Sequence, residues 1–134
     1  MVPLDVCHKT RFGREHVNQI GKNKHPFCQF VQESVDPWLK ITPNQDIIDQ
    51  GLHLYDSLAM ALCFFPDLAD YKNAFVSVET QGEFTDGETV CEFNNSIMGQ
   101  IFKPEPNAEV ALEIDVEGFN KIFEERVTGF LSNL

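Results

Sequence analysis

The feature that most constrains this chain is a short run, residues 58–65, that is apolar almost throughout (LAMALCFF). Asp56 and Ser57 stand directly before it, and their side-chain oxygens can accept hydrogen bonds from the free N–H groups of a helix's first turn. Pro66 follows the run and ends it, because proline breaks a helix interior. A helix that is apolar on every side is normally a buried one. The sequence therefore predicts a buried helix, entered at Asp56, around which the rest of the chain packs.

Asp56 has two interpretations at this point. Spacing alone favours a simple helix cap. A carboxylate is also favourable at a helix N-terminus, so Asp56 can instead face a pocket there. Tyr55 precedes it, and His53 lies two residues before Tyr55. His53 either lines the same pocket or is a loop histidine without a partner, which the sequence favours.

Hydrophobic periodicity predicts the other elements of the chain. Further helices are expected at residues 11–20, 25–39 and 116–131. Strands are expected at residues 2–7, 74–80, 89–93 and 109–115. An Asp86-Gly87 turn should join the second and third strands into a hairpin, and residues 43–46 and 103–107 are predicted loops. Strands that alternate with helices indicate an α/β fold, and 134 residues suit one domain.

Composition narrows the class of protein and of partner. The chain carries 21 acidic against 10 basic residues, for a net charge of −11, which argues against a basic face for nucleic acid or for an anionic membrane. Its longest apolar run is far too short to span a bilayer, and its first residues lack the basic start of a signal peptide. The four cysteines are widely spaced with no CxxC pair. Three of them lie in apolar contexts, so free buried thiols in a reducing compartment, as in a cytoplasmic protein, are expected rather than disulfides or a zinc site.

The residues alone offer little recognisable chemistry. The sequence contains no phosphate-binding glycine loop, no GxSxG, no HExxH and no DxDxDG calcium loop. Cys7 and His8 are adjacent, but neighbours on the predicted strand point to opposite faces, so they make a poor nucleophile–base pair. Glu113 and Asp115 share a strand face, where they are either an acid pair or part of a solvated edge.

Four segments, however, resemble the C-terminal part of the inosine-uridine preferring nucleoside hydrolases. In order, they are VPLDVCHKT (2–10), GLHLYDSLAMALCFFPDL (51–68), FVSVETQGEFTDGETVCEF (75–93) and EVALEIDVEGFNKIFEERV (109–127). Both their order and their spacing fit that family. The resemblance implies that residues 1–134 are the C-terminal portion of a nucleoside-hydrolase-like Rossmann-type fold with a β-hairpin, and that the N-terminal part of the same fold is missing.

This resemblance also implies an activity. Members of the family hydrolyse the N-glycosidic bond of purine and pyrimidine ribonucleosides to ribose and base, in nucleoside salvage and catabolism. They use a tightly held Ca²⁺ that binds the attacking water and two ribose hydroxyls. Asp56 matches a calcium ligand of the family. The chemistry agrees, because Ca²⁺ takes six to eight oxygen ligands and a helix N-terminus aims a carboxylate rigidly.

The residue before that aspartate departs from the family pattern. The best-known members have a histidine there that assists the departing base, and this chain has Tyr55. A phenol can donate a hydrogen bond, but with an ordinary pKa of about 10 it is a weaker acid than imidazole. Tyr55 is therefore either the leaving-group donor or an aromatic side chain that lines the pocket, beside His53.

A second departure concerns the metal site. The family's acidic DxDxGxDD motif and its ribose-binding Asn and Glu residues are absent from this sequence, and Asp56 alone cannot fill a calcium shell. The chain is then a piece of a longer enzyme, a half that needs a partner, or a non-catalytic, degenerate binding protein of this fold. We expect no catalysis by these residues alone. The apolar run 58–65 suggests a surface normally covered by the missing part, through which the isolated chain would self-associate into a homo-oligomer.

Overall fold

The computed structural model describes residues 1–41, 51–94 and 96–134 of the chain. Its α-helices, in chain order, are α1 (Leu4–Cys7), α2 (Arg14–Gly21), α3 (Pro26–Ile41), α4 (Tyr55–Phe64), α5 (Ile97–Phe102), α6 (Val116–Phe123) and α7 (Gly129–Ser132). A 3₁₀ turn (Pro66–Leu68) follows α4, and a π-helical turn (Glu124–Thr128) joins α6 to α7. The strands are β1 (Ala69–Val78), β2 (Thr89–Glu92) and β3 (Ala108–Ile114). The predicted α/β class is confirmed.

The three strands form one antiparallel sheet in the order β2-β1-β3. The first half of β1 pairs with β3, starting with Ala69 opposite Ile114, and its second half pairs with β2, ending with Val78 opposite Thr89. The predicted hairpin and the predicted strand at 109–115 are therefore confirmed. Gly87 has a φ of +85° in the hairpin connection, a backbone conformation that favours glycine.

The predicted strand at residues 2–7 is wrong. Pro3 occupies the N-cap position of α1, and its carbonyl accepts the first hydrogen bonds of that helix. Met1, the residue just before this segment, lies along the sheet: its amino group donates to the Glu109 carbonyl, and its carbonyl accepts from the Ala111 N–H. In this helical turn the adjacent residues Val6 and Cys7 are both buried, whereas Leu4 is 64% exposed, so burial does not follow the alternation expected of a strand.

The predicted helices at 11–20, 25–39 and 116–131 are confirmed as α2, as α3 and as the continuous segment α6–π turn–α7. Asp115 caps α6, because its side chain accepts a hydrogen bond of 2.9 Å from the Gly118 N–H. The predicted loop at 103–107 is also confirmed. The predicted loop at 43–46 lies outside the described residues. Helix α5 was not predicted, although Ser96 caps it in the same way, through the Gly99 N–H.

Buried apolar side chains form two clusters in the described part of the chain. The first joins α1, α4, β3 and α6 and contains Val6, Cys7, Leu58, Leu62, Ala111 and Phe119. The second joins α2, α3 and α7 to the segment before α2 and contains Phe12, Val17, Ile20, Cys28 and Leu131. All four cysteines are free thiols, but the prediction that they are buried holds only for Cys7 and Cys28, because Cys63 is exposed and Cys91 is partly exposed. Burial, followed by the nearby Asp5 carboxylate, raises the pKa of Cys7 above its ordinary value.

Helix α4 is only half buried, which corrects the prediction of an enclosed helix. Leu58 and Leu62 face the first core cluster, whereas Met60 is 61% and Phe64 71% exposed. Within the described residues, α1 and the first core cluster cover one side of α4, and its other side is open. Among those residues no helix has both the length and the apolarity needed to cross a membrane.

Candidate functional site

Two segments that are distant in sequence meet at the candidate site. The Phe12 N–H donates to the Leu52 carbonyl at 2.7 Å, and the Leu52 N–H donates to the Phe12 carbonyl at 3.0 Å. Gly51 allows this close approach: it has a φ of +81°, and a Cβ at that position would lie 2.5 Å from the Phe12 carbonyl oxygen. This antiparallel bridge brings the residues on either side of Phe12 and Leu52 together.

Arg11 and His53 are the next pair along the bridge, and their side chains interact. The Arg11 Nη1 lies 2.9 Å from the His53 Nε2. A guanidinium can only donate hydrogen bonds, so the Nε2 accepts and the imidazole proton is on Nδ1. The Nδ1 is buried. Burial, then the positive charge of Arg11 and then His8, lower the pKa of His53 below 6.5, against a smaller raising effect of a hydrogen bond with the Thr10 backbone. The net direction agrees with a neutral ring.

His8 connects this pair to Tyr55. The His8 and His53 ring centroids are 4.3 Å apart, and the His8 Nε2 lies 3.3 Å from the Tyr55 hydroxyl. The His53 and Tyr55 rings are 5.6 Å apart. His53 and Tyr55 therefore lie side by side, and the interpretation of His53 as a histidine without a partner is wrong. The result is a cluster of two imidazoles, a phenol and a guanidinium.

The sequence did not predict that His8 and Arg11 belong to this cluster. Cys7 and His8 are a poor nucleophile–base pair, as expected, but for another reason: Cys7 is buried in the core, whereas His8 follows the last residue of α1 and is exposed. Arg11 carried no signal of its own. The pairing of Phe12 with Leu52 brings these residues to His53, and a single sequence does not specify that pairing.

The two acidic residues of β3 and its end have separate partners. Glu113 forms an ion pair with Lys9, and the Asp115 carboxylate is occupied as the cap of α6. An acid pair would share a proton between the two carboxyl groups, and each carboxylate here already has a different partner. The structure therefore favours the interpretation of these carboxylates as surface groups over the acid pair.

Asp56 lies in the first turn of α4 but does not cap the helix. Because α4 begins at Tyr55, the N-cap position belongs to Leu54, and no side chain caps the helix. The cap interpretation of Asp56 is thus wrong. Its exposed carboxylate instead lies at the rim of an apolar cavity of about 650 Å³ between α4 and α6. Consecutive helix residues are about 100° apart around the axis, so Tyr55 faces the imidazole cluster while Asp56 faces this cavity.

The described residues do not complete a metal site. Among them, no three or more His, Cys, Asp or Glu side chains come together as a possible metal site. Asp56 has the right chemistry for a hard cation, but one carboxylate supplies at most two of the six to eight oxygens that Ca²⁺ prefers. A metal held by Asp56 would therefore need oxygen ligands beyond the His, Cys, Asp and Glu side chains of the described residues.

Comparison with known sequences gives one consistent result. The model of the family described as inosine-uridine preferring nucleoside hydrolase matches residues 1–121. The chain is 30% identical over 132 residues to a pyrimidine-specific ribonucleoside hydrolase, RihA, of Citrobacter koseri, an alignment covering 98% of this chain and 41% of that protein. It is also 46% identical over 74 residues to a non-specific ribonucleoside hydrolase, RihC, of Escherichia fergusonii, covering 55% of this chain and 23% of that protein.

Solved structures show the same fold. All of this chain superposes on 40% of a purine-preferring ribonucleoside hydrolase from Gardnerella vaginalis, with a TM-score of 0.80 and 23% identity. A plant nucleoside hydrolase, PpNRh1, matches 93% of this chain over 39% of its own length, with a TM-score of 0.76 and 20% identity. The chain thus spans about two fifths of these structures and at most 41% of the curated relatives named above.

Proposed function

Because the chain belongs to the inosine-uridine preferring nucleoside hydrolase family, we propose that it is the C-terminal part of a glycosidase. The reaction is hydrolysis of the N-glycosidic bond of a ribonucleoside to ribose and free base. The family match across residues 1–121 carries this proposal. The similar proteins include a pyrimidine-specific, a non-specific and a purine-preferring hydrolase, so we propose ribonucleosides in general as the substrate class.

We propose that residues 1–134 belong to one domain whose N-terminal part supplies the rest of the catalytic site. Two observations support this: the chain spans only about two fifths of its structural relatives, and its described residues contain no complete metal site. The 134 residues alone are then inactive. A working enzyme of nucleoside salvage in the cytoplasm agrees with four free cysteines, because free thiols persist in a reducing compartment.

Asp56 is proposed as one ligand of a metal ion. Nucleoside hydrolases of this family use a metal ion, and we propose that it is Ca²⁺ because Asp56 offers hard carboxylate oxygens. A bound Ca²⁺ would hold ribose hydroxyls and activate a water. The exposed position of Asp56, without a capping hydrogen bond, supports this role, since its carboxylate is not committed to the helix.

Tyr55 is proposed as the group that assists the departing base. Cleavage of an N-glycosidic bond passes through an oxocarbenium-like state while negative charge develops on the leaving base. A hydrogen-bond donor beside that base stabilises the charge. The Tyr55 hydroxyl lies 3.3 Å from the His8 Nε2, so an imidazole is available to orient the phenol. His53 is proposed to line the same side of the substrate pocket.

A second candidate function is a non-catalytic protein of this fold that binds a nucleoside or a partner without turnover. The incomplete metal site within the described residues favours it. The two functions differ in whether a completed domain releases ribose.

The test joins this chain to the part of the Citrobacter koseri relative that lies outside its match. Ribose release from inosine and from uridine is then measured with and without Ca²⁺. We expect Ca²⁺-dependent release that Asp56→Asn lowers by at least about 100-fold, the scale seen when a metal site loses support. Asp67→Asn, an exposed aspartate just beyond the same helix, is the matched control and should leave release unchanged. A folded joined protein that binds nucleoside without releasing ribose would favour the second function.

A further inference from the structure

An exposed apolar groove lies between α4 and α6. Its walls are Met60, Phe64, Phe65, Ile122, Phe123 and Val127, and we call these residues the α4–α6 groove. Its volume is about 650 Å³, and Met60 and Phe64 on its α4 side are more than half exposed. A contiguous apolar surface of this kind is typical of a surface that another polypeptide covers.

The sequence of α4 indicates what kind of surface covers the groove. Surface helices carry a polar face toward solvent. The exposed side of α4 instead presents four apolar residues, Ala59, Met60, Cys63 and Phe64. Leu58 and Leu62 fill the first core cluster on the other side. A helix that is apolar on both sides is typical of the interior of a domain. The groove therefore resembles a surface that is covered within one domain, rather than a contact between separate proteins.

The structural comparison indicates where that interior comes from. The whole chain superposes on only 40% of the Gardnerella vaginalis structure with a TM-score of 0.80. The remaining three fifths of that fold have no counterpart among these 134 residues. Asp56, with an incomplete set of metal ligands around it, lies at the rim of the same groove. A polypeptide seated in the groove would bring its own side chains next to that carboxylate.

We infer that the α4–α6 groove is the docking surface for the N-terminal remainder of the nucleoside-hydrolase fold, whether that remainder is joined to this chain or supplied separately. The inference rests on the proposed function for the identity of the occupant. What the inference adds is the place of contact. Met60 and Phe64 are its apolar anchors, and the docked segment places further metal-ligating side chains beside Asp56.

Association of two separate chains tests the inference. The 134-residue chain and the unmatched part of the Citrobacter koseri relative are produced separately, and their association is measured by light scattering and titration calorimetry. We expect a one-to-one complex. Phe64→Asp should weaken it by at least about 100-fold, because loss of a buried aromatic anchor is among the costliest interface changes.

Phe84→Asp is the matched control. Phe84 is 92% exposed on the hairpin connection and lies outside the groove, so this change removes the same side chain from another exposed position. Binding should change less than about twofold, as for a surface substitution away from the contact. Equal weakening by both variants would overturn the inference. A homodimer of this chain that Phe64→Asp dissociates, without binding of the other part, would do so too and would assign the groove to self-association.

A chemical probe covers the case in which the separate N-terminal part does not fold. Cys63 is exposed on α4 but lies outside the groove, so the probe is a thiol placed in the groove by Met60→Cys in a Cys63→Ser background. In the protein joined to the missing part, alkylation of this thiol should slow by at least about tenfold relative to the 134-residue chain, since a docked polypeptide excludes reagent. Unchanged reactivity would overturn the inference. Neither readout involves turnover, so protection of the groove thiol without ribose release would refute the proposed function and leave the docking surface intact.

Discussion

The backbones of Phe12 and Leu52 exchange two hydrogen bonds, of 2.7 and 3.0 Å, although they are far apart in the chain. This pair turns Arg11 toward His53, with 2.9 Å between the guanidinium and the imidazole. The aromatic cluster at Tyr55 thus depends on a junction made by backbone groups rather than by the site residues themselves. Changes at the junction should affect both stability and the site.

Gly51 provides the sharpest test of the junction. In Gly51→Ala, the new Cβ would meet the Phe12 carbonyl at 2.5 Å with φ at +81°, so we expect a loss of about 3 kcal/mol in the free energy of unfolding. Gly87→Ala is the control, because Gly87 has a similar φ of +85° but nothing within 4 Å of its added Cβ; about 1 kcal/mol is expected. Urea unfolding measures both. Equal losses in the free energy of unfolding for the two variants would show that the close approach of Gly51 to Phe12 does not require glycine.

The lowered pKa of His53 predicts how stability depends on pH. Burial, Arg11 and His8 hold this pKa below 6.5, so the folded chain binds a proton at His53 more weakly than the unfolded chain does. The free energy of unfolding should therefore decrease as the pH falls below 6.5. The loss of stability that is due to His53 is complete once the pH lies below the pKa of His53 in the folded chain. Urea unfolding between pH 7.5 and pH 5.5 measures the slope. His53→Gln should give a smaller slope, and identical slopes would contradict the assigned cause.

Local signals in the sequence predicted the elements that need no distant partner. Alternating residues with an Asp86-Gly87 turn produced the hairpin of β1 and β2, and Asp115 marked the start of α6. Both signals act within a few residues of the chain. The same reasoning failed at residues 2–7, where alternation is compatible with a single helical turn beginning after Pro3.

The candidate site was predicted only in part, because its geometry comes from tertiary contacts. Tyr55 and His53 lie together, which was the less favoured of the two interpretations of His53, and His8 and Arg11 join them through a pairing of distant segments. Asp56 was expected to cap a helix, but the N-cap position is Leu54, two residues earlier. Helix boundaries are uncertain by one or two residues. A shift of that size moves Asp56 from the N-cap position into the first turn, where its carboxylate is not used as a cap.

Two substitutions at Tyr55 separate its two interpretations in the joined, complete domain. Tyr55→Phe should lower kcat by about 100-fold with little change in KM, because a donor to the departing base acts in the transition state. Tyr55→His should keep or increase kcat, since imidazole is the stronger acid. Ribose release from inosine and uridine measures both. A higher KM with unchanged kcat in Tyr55→Phe would identify the ring as a pocket-lining group instead.

Leu58 and Met60 lie on opposite sides of α4 and should respond differently to the same truncation. Leu58 is fully buried, so Leu58→Ala should cost about 3 kcal/mol in the 134-residue chain. Met60 is 61% exposed, and Met60→Ala should cost less than about 0.5 kcal/mol there. In the joined domain the cost of Met60→Ala should rise to about 2 kcal/mol, because the docked part would bury the side chain. Thermal and urea unfolding of both variants in both forms measures this difference. A Met60→Ala cost that stays small in the joined domain would mean that α4 keeps its open side in the complete enzyme.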